Sequence, residues 1–179
     1  HTASSVTFVS NYIYWQVVGY FDVESHQKWL LHTWSLSTEW QFYILYPLIL
    51  LGLFKIFTVE IVKKVILVCL LISFTYCVFA TYMIVESAYY LLPSRVWELL
   101  VGGVAYLYPL KLSNRSKGVM EWFGIVLIIG SYLFISEKTP WPGYFALFPV
   151  VGSFFIIQAC RNTSYITGNF LMQRVGLWS

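Results

Sequence analysis

WLLHTWSLSTEWQFYILYP, residues 29 to 47, is the stretch whose reading decides how this chain folds. It sets His32, Ser35, Ser37, Thr38, Glu39 and Gln41 among Trp29, Trp34 and Trp40, then runs straight into an apolar segment. Two physical readings fit a polar cluster at such a place. In one it is a helix start, where Ser37 caps and Glu39, in the first turn, lies against the positive end of the helix dipole. In the other it is a site. On a continuous helix His32, Ser35 and Glu39 fall at i, i+3 and i+7, share one face, and can act together on one bound group.

Composition says what surrounds that stretch. Of 179 residues, 59% are hydrophobic and only 11% charged, against about 25% charged in a soluble domain. With a mean hydropathy of +0.69, the chain reads as an integral membrane protein. Aromatic residues make up 20%, which suits the interfacial belts where Trp and Tyr keep a ring in lipid and a polar atom in water. The net charge of +3 is small, and no basic tract points to nucleic acid.

Working outward, residues 6–20 are apolar and aromatic but too short to cross a bilayer unaided, and the polar FDVESHQK follows with Asp22, Glu24, His26 and Lys28. Complete spans are expected at about 38–56, 65–85, 94–110, 119–136 and 144–160. The expected architecture is therefore all-α: a polytopic transmembrane helix bundle of about five complete spans, with partial segments at both ends. A turn with Lys55, Glu60, Lys63 and Lys64 separates the first two spans, and SEKTPWPG makes a tight loop before the fifth. The chain begins at His1 with no initiator methionine and stops at Ser179 as apolar character resumes. We therefore expect 1–179 to be a fragment of a single transmembrane domain in a longer protein.

Charge orients the spans. Lys55, Lys63, Lys64, Lys111, Arg115, Lys117 and Arg161 fall in one set of connections, whereas the alternate set holds only Lys28, Arg95, Lys138 and most of the acids. Basic loops stay in the cytoplasm, so the 29–47 stretch and the Arg95 end of the third span are expected to face outward together. Arg95 and Glu98 sit at i, i+3 and invite two readings: a couple that satisfies its own charge, or ionisable groups facing a cavity, with Gly102 and Gly103 allowing close helix approach.

Other chemistries are excluded. There is no GxSxG elbow, glycine-rich phosphate loop or HExxH motif. A triad of Ser35 or Ser37, His32 and Glu39 would be crowded into one short segment. Cys69, Cys77 and Cys160 lack metal or redox spacing and read as buried thiols, and no metal is expected. Sequons at Asn114 and Asn162 lie on the expected inner side, where they carry no meaning.

HTWSLSTEWQFYILYP at 32–47 resembles the signature of the acyltransferase type 3 family of integral membrane O-acyltransferases, which includes bacterial O-antigen and peptidoglycan O-acetylases. SNYIYWQVVGYF, LLPSRVWELLVGG at 91–103, WPGYFALFPVVGS at 141–153 and the closing QRVGLWS are similar to further segments of that family in the same order. The similarity thus covers nearly the whole chain.

The resemblance implies a multi-pass enzyme of about ten spans in the bacterial cytoplasmic (inner) membrane. It would move an acyl group, commonly acetyl, from acetyl-CoA to a hydroxyl of a cell-surface glycan such as lipopolysaccharide. Acetyl-CoA would serve as donor substrate, with no bound cofactor. The partners implied are the lipid bilayer, acyl-CoA and the glycan acceptor. The family's essential Arg and His belong to its first helix, ahead of His1, and many members have a second Glu where this chain has Trp40, so of that pair only Glu39 carries over. Catalytic candidates are then Glu39, at the acceptor end of the acyl path, and His32 as an auxiliary base near pH 7. Arg95, Glu98, Trp34 and Ser37 are the substrate-binding candidates, with Glu98 orienting Arg95. A transporter or flippase of a glycan or lipid precursor is the alternative. Spans two, four and five lack ionisable groups in their middles, which weighs against it.

Overall fold

The computed structural model describes residues 8–18, 33–136, 139–161, 164 and 166–178. Among them every regular element is helical: α1 (Ser10–Val18), α2 (Thr33–Ile56), α3 (Val59–Met83), α4 (Val85–Tyr90), a 3-10 turn (Leu92–Ser94), α5 (Val96–Leu107), α6 (Asn114–Phe134), a second 3-10 turn (Tyr144–Ala146), α7 (Leu147–Ala159) and α8 (Phe170–Trp178). Trp29, His32, the 21–28 segment, Lys138 and Asn162 lie outside the described residues.

The all-α membrane architecture expected from composition is the one observed. At 1.5 Å per residue α2, α3 and α6 are ~36, ~38 and ~32 Å long, enough for a hydrocarbon core of about 30 Å. These are the three described helices with both the length and the hydropathy to cross a membrane. The segments expected at 94–110 and 144–160 form shorter helices of 12 and 13 residues, ~18 and ~20 Å, which do not span that thickness alone. In the first case Leu92, Pro93 and Ser94 are drawn into the 3-10 turn, so α5 starts only at Val96.

Helix starts also move. α2 begins at Thr33, five residues before the expected span, so Ser37 lies in its second turn and does not cap it. Ser37 and Thr38 instead donate their hydroxyls to the carbonyls of Thr33 and Trp34 at 3.0 and 3.1 Å, the usual way a helix satisfies such groups away from water. α3 begins at Val59, leaving only Phe57 and Thr58 as the connection, and Glu60 and Lys63 pair at 3.1 Å on its first turns. Cys77 is buried as expected, but Cys69 and Cys160 are exposed.

The described residues gather into two compact units, one within His1–Val104 and Glu137–Ala146, the other within Ala105–Ser136 and Leu147–Ser179. In the first, α1 lies on α2 and α4 around Tyr14, Trp34 and Tyr90. Polar side chains fix that packing. Ser10 and Ser37 share a hydrogen bond of 2.7 Å, Gln41 donates to Asn11 Oδ1 at 2.9 Å, and Trp15 Nε1 donates to Ser87 at 3.0 Å. Gly143, with φ +38°, turns the WPG loop and donates its N–H to Thr81 at 3.0 Å.

In the second unit α6 and α7 cross at a pair of glycines. A Cβ on Gly124 would lie 2.6 Å from the Gly152 carbonyl oxygen, and one on Gly152 would lie 2.8 Å from that of Gly124, so the two backbones touch as small-residue membrane crossings do. Close approach was expected at Gly102 and Gly103. Gly102 has nothing within 4 Å, and Gly103 meets only the Tyr46 side chain. Gln158 ties the unit's first residues down, donating to the Ala105 and Tyr108 carbonyls and accepting from Leu110 N–H at 2.9 to 3.0 Å. A side chain at the crossing must push the helices apart. Gly152→Leu is predicted to lower the thermal unfolding temperature of the detergent-purified protein, at a cost of about 1–3 kcal/mol. Gly130→Ala, on α6 with nothing within 4 Å, leaves that temperature unchanged or raises it.

Candidate active site

A reversal of the chain brings the candidate residues together. After α4 the backbone turns through Leu92–Ser94, and the buried Ser94 Oγ lies 2.7 and 2.8 Å from the carbonyls of Leu91 and Ala88, one of which takes its proton. Ser73, midway along α3, donates to the Pro93 carbonyl at 2.6 Å and accepts the Trp97 N–H at 3.0 Å. The Trp97 amide is among the first of α5, which have no partner inside their own helix. Trp97 is itself fully buried, its ring 4.9 Å from Phe74. These contacts set Arg95 in the turn before α5 and Glu98 in its first turn.

Opposite them stand the first two turns of α2. Ser35, Thr38 and Glu39 from α2 and Arg95, Glu98 and Leu99 enclose a cavity of about 60 Å³. The i, i+4 spacing of Ser35 and Glu39 puts both on this face. Arg95 is held from three sides. Its guanidinium carbon lies 4.9 Å from the Trp34 ring centre and 5.8 Å from that of Tyr89, and Nη1 is 3.7 Å from Glu98 Oε2. That last distance makes Arg95 and Glu98 neighbours in charge without a hydrogen bond.

The couple therefore does not satisfy itself. Among the described residues Arg95 Nε and Glu98 Oε1 are buried with no hydrogen-bond partner. Such atoms are costly unless something meets them. A donor and an acceptor with unmet capacity, beside the exposed carboxylate of Glu39, form an arrangement that can orient a polar group carrying both a hydroxyl and a carbonyl. A larger cavity of about 260 Å³ lies between α2, α3 and α5, lined by Phe42, Tyr46, Ile49, Ile66, Val96 and Leu100 among others. No charged side chain lines it.

Of the candidates read from the sequence, Glu39, Arg95 and Glu98 meet at the smaller cavity, and Trp34 touches it through Arg95. Ser37 faces away and is buried against Ser10 of α1. His32 lies outside the described residues. Tyr89 and Leu99 were not anticipated. Tyr89 sits in an apolar and aromatic run with no spacing signal, and only the turn at Leu92–Ser94 brings it to Arg95.

No family model matches this chain, and no solved structure matches it. Curated proteins do. A Haemophilus influenzae "Uncharacterized protein" is 31% identical over 141 residues, covering 74% of this chain and 56% of that one. The "Putative membrane-bound transacylase BcsY" of Komagataeibacter xylinus is 27% identical over 178 residues, 98% of this chain and 42% of its own length. A "Putative O-acetyltransferase" of Staphylococcus aureus (strain COL) is 28% identical over 189 residues, 93% of this chain and 30% of its own. The chain thus spans between 30% and 56% of these relatives. In sequence the chain is similar to membrane proteins named as a putative transacylase and a putative O-acetyltransferase, and its helical make-up suits such a membrane protein.

Proposed function

We propose that the protein containing this chain is an O-acyltransferase of the bacterial cytoplasmic membrane that moves an acetyl group from acetyl-CoA to a hydroxyl of a cell-surface glycan. The observation that carries this reading is the cavity where Arg95 and Glu98 keep hydrogen-bonding atoms unmet beside Glu39. The names of the relatives supply the reaction class. Acetyl-CoA and the glycan are our additions to it.

In this reading the acceptor hydroxyl oxygen attacks the thioester carbonyl carbon, the C–S bond breaks, and the coenzyme leaves as thiolate. Arg95 donates toward the oxygen that gains charge, held over Trp34 and Tyr89 so that little reorganisation is needed. Glu98 keeps Arg95 aimed. Glu39 accepts from the acceptor hydroxyl, and His32 assists near pH 7 as an auxiliary base to the histidine that the resemblance assigns to the family's first helix. Charge asymmetry of the connections favours an outward-facing cluster, at the acceptor end of an acyl path whose donor, acetyl-CoA, is on the cytoplasmic side.

In cells making the full-length protein, O-acetyl content of the surface polysaccharide reads the reaction. Arg95→Ala at matched membrane levels is expected to lower it about a hundredfold, the scale of losing a transition-state donor, and Glu39→Gln to lower it as well. Acetylation that survives both substitutions contradicts the roles of Arg95 and Glu39, and no acetylation by the unaltered protein contradicts the function. The ring contact makes a separate prediction. Trp34→Leu is expected to reduce kcat/KM about tenfold, within the range of a partly desolvated cation–π contact, whereas Trp34→Phe keeps most of it. Equal losses in the two variants would show that Trp34 acts through bulk alone.

A further inference from the structure

The unit within Ala105–Ser136 and Leu147–Ser179 holds a polar cluster that the acyl-transfer reading does not use. Glu121, on α6, is 2% exposed, and its carboxylate is answered by Arg161 at 3.0 Å and by the Thr167 hydroxyl. Burial without those partners would be prohibitive. The pairing also fixes Arg161. Its guanidinium is drawn onto the flank of α6 beside Gly118, where a Cβ would come within 3.2 Å of Nη1. About a third of the Arg161 side chain, 36%, remains open.

Arg115, exposed and one turn before Gly118, lies on the same flank. Between these cations and Val126 runs an open groove of about 650 Å³ along α6. Its lining changes character in one direction. Asn114, Arg115 and Arg161 make the polar end, while Val119, Trp122 and Val126, all more than half exposed, make the rest, and no lining residue is acidic. From Arg115 to Val126 the helix rises ~16 Å.

We propose that this flank is a binding site for an anionic phospholipid. Two guanidinium groups at one end suit a phosphate, which arginine engages through paired donors. Trp122 suits the interface between headgroup and tail, and the apolar remainder suits an acyl chain. A soluble phosphate compound would satisfy the arginines and leave the apolar length of the groove bare. A neutral lipid would do the reverse. Basic pockets beside membrane helices recognise anionic headgroups by this combination. The site is independent of the acyl-transfer reading.

The test is lipid retention by the full-length protein, purified in neutral detergent and analysed by native mass spectrometry after titration with phosphatidylglycerol, phosphatidylcholine or coenzyme A. Phosphatidylglycerol should bind in preference to phosphatidylcholine, and Arg115→Gln should weaken it about fivefold with no change in unfolding temperature. Because Arg161→Gln alone would strand the Glu121 carboxylate, the paired change Glu121→Gln with Arg161→Gln is the second variant, and it should weaken binding further when added to Arg115→Gln. Equal retention of the two lipids overturns the proposal, as does retention unaffected by all three substitutions. Arginine-dependent binding of coenzyme A without such binding of phosphatidylglycerol overturns it in favour of a soluble phosphate ligand.

Discussion

The hydroxyl of Ser73 is the contact on which the geometry of the first unit depends. It lies inside a long apolar helix, where an unmet polar group costs about 1–3 kcal/mol, and it is engaged both as donor and as acceptor: its proton goes to the Pro93 carbonyl and one lone pair receives the Trp97 N–H. Both partners belong to the reversal that carries Arg95. Phe74, the next residue of α3, packs its ring edge-on against Trp97, so one turn of α3 holds the start of α5 by hydrogen bonds and by ring contact. With Trp97 anchored, Arg95 is left facing Trp34 and Tyr89, and Glu98 follows one turn later.

The opposite wall is held by a division of labour along α2. Ser37 and Gln41 turn toward α1 and spend their hydrogen bonds on Ser10, Asn11 and the Phe8 carbonyl. Ser35, Thr38 and Glu39 are thereby set on the face that closes on Arg95 and Glu98. The polar cluster that makes this stretch conspicuous is thus two clusters, one for helix packing and one for the cavity. Beyond Phe42 no side chain of α2 is buried. An apolar face of that extent is stable only against lipid or further helices.

Much of this was legible from residues alone, because membrane composition and local spacing carry it. The helical class, the helix that runs on from Thr33, the Arg95 and Glu98 pair and the turn at WPG all rest on short-range signals. What was not legible depends on partners far away in sequence. Ser37 reads as a cap until Ser10 is seen against it. The third span reads as starting at about residue 94 until Ser73 and Ser94 are seen holding Leu92–Ser94 in a turn, which shortens α5. Glu121 and Arg161 lie 40 residues apart, and nothing in either neighbourhood announces the other. The same holds for Gly124 and Gly152, whose contact needs two helices to be in place.

The central claim is that Glu39 and Arg95, brought together from α2 and from the turn before α5, act on one bound group. A double-substitution cycle on the full-length protein tests it most directly: kcat/KM for acetyl transfer is measured for the unaltered protein, Glu39→Gln, Arg95→Ala and the pair. Residues that serve one group are coupled, so the account predicts that the second substitution costs much less in the presence of the first than alone. Two losses that multiply in full would contradict it, and would mean that the residues meeting at this cavity work separately.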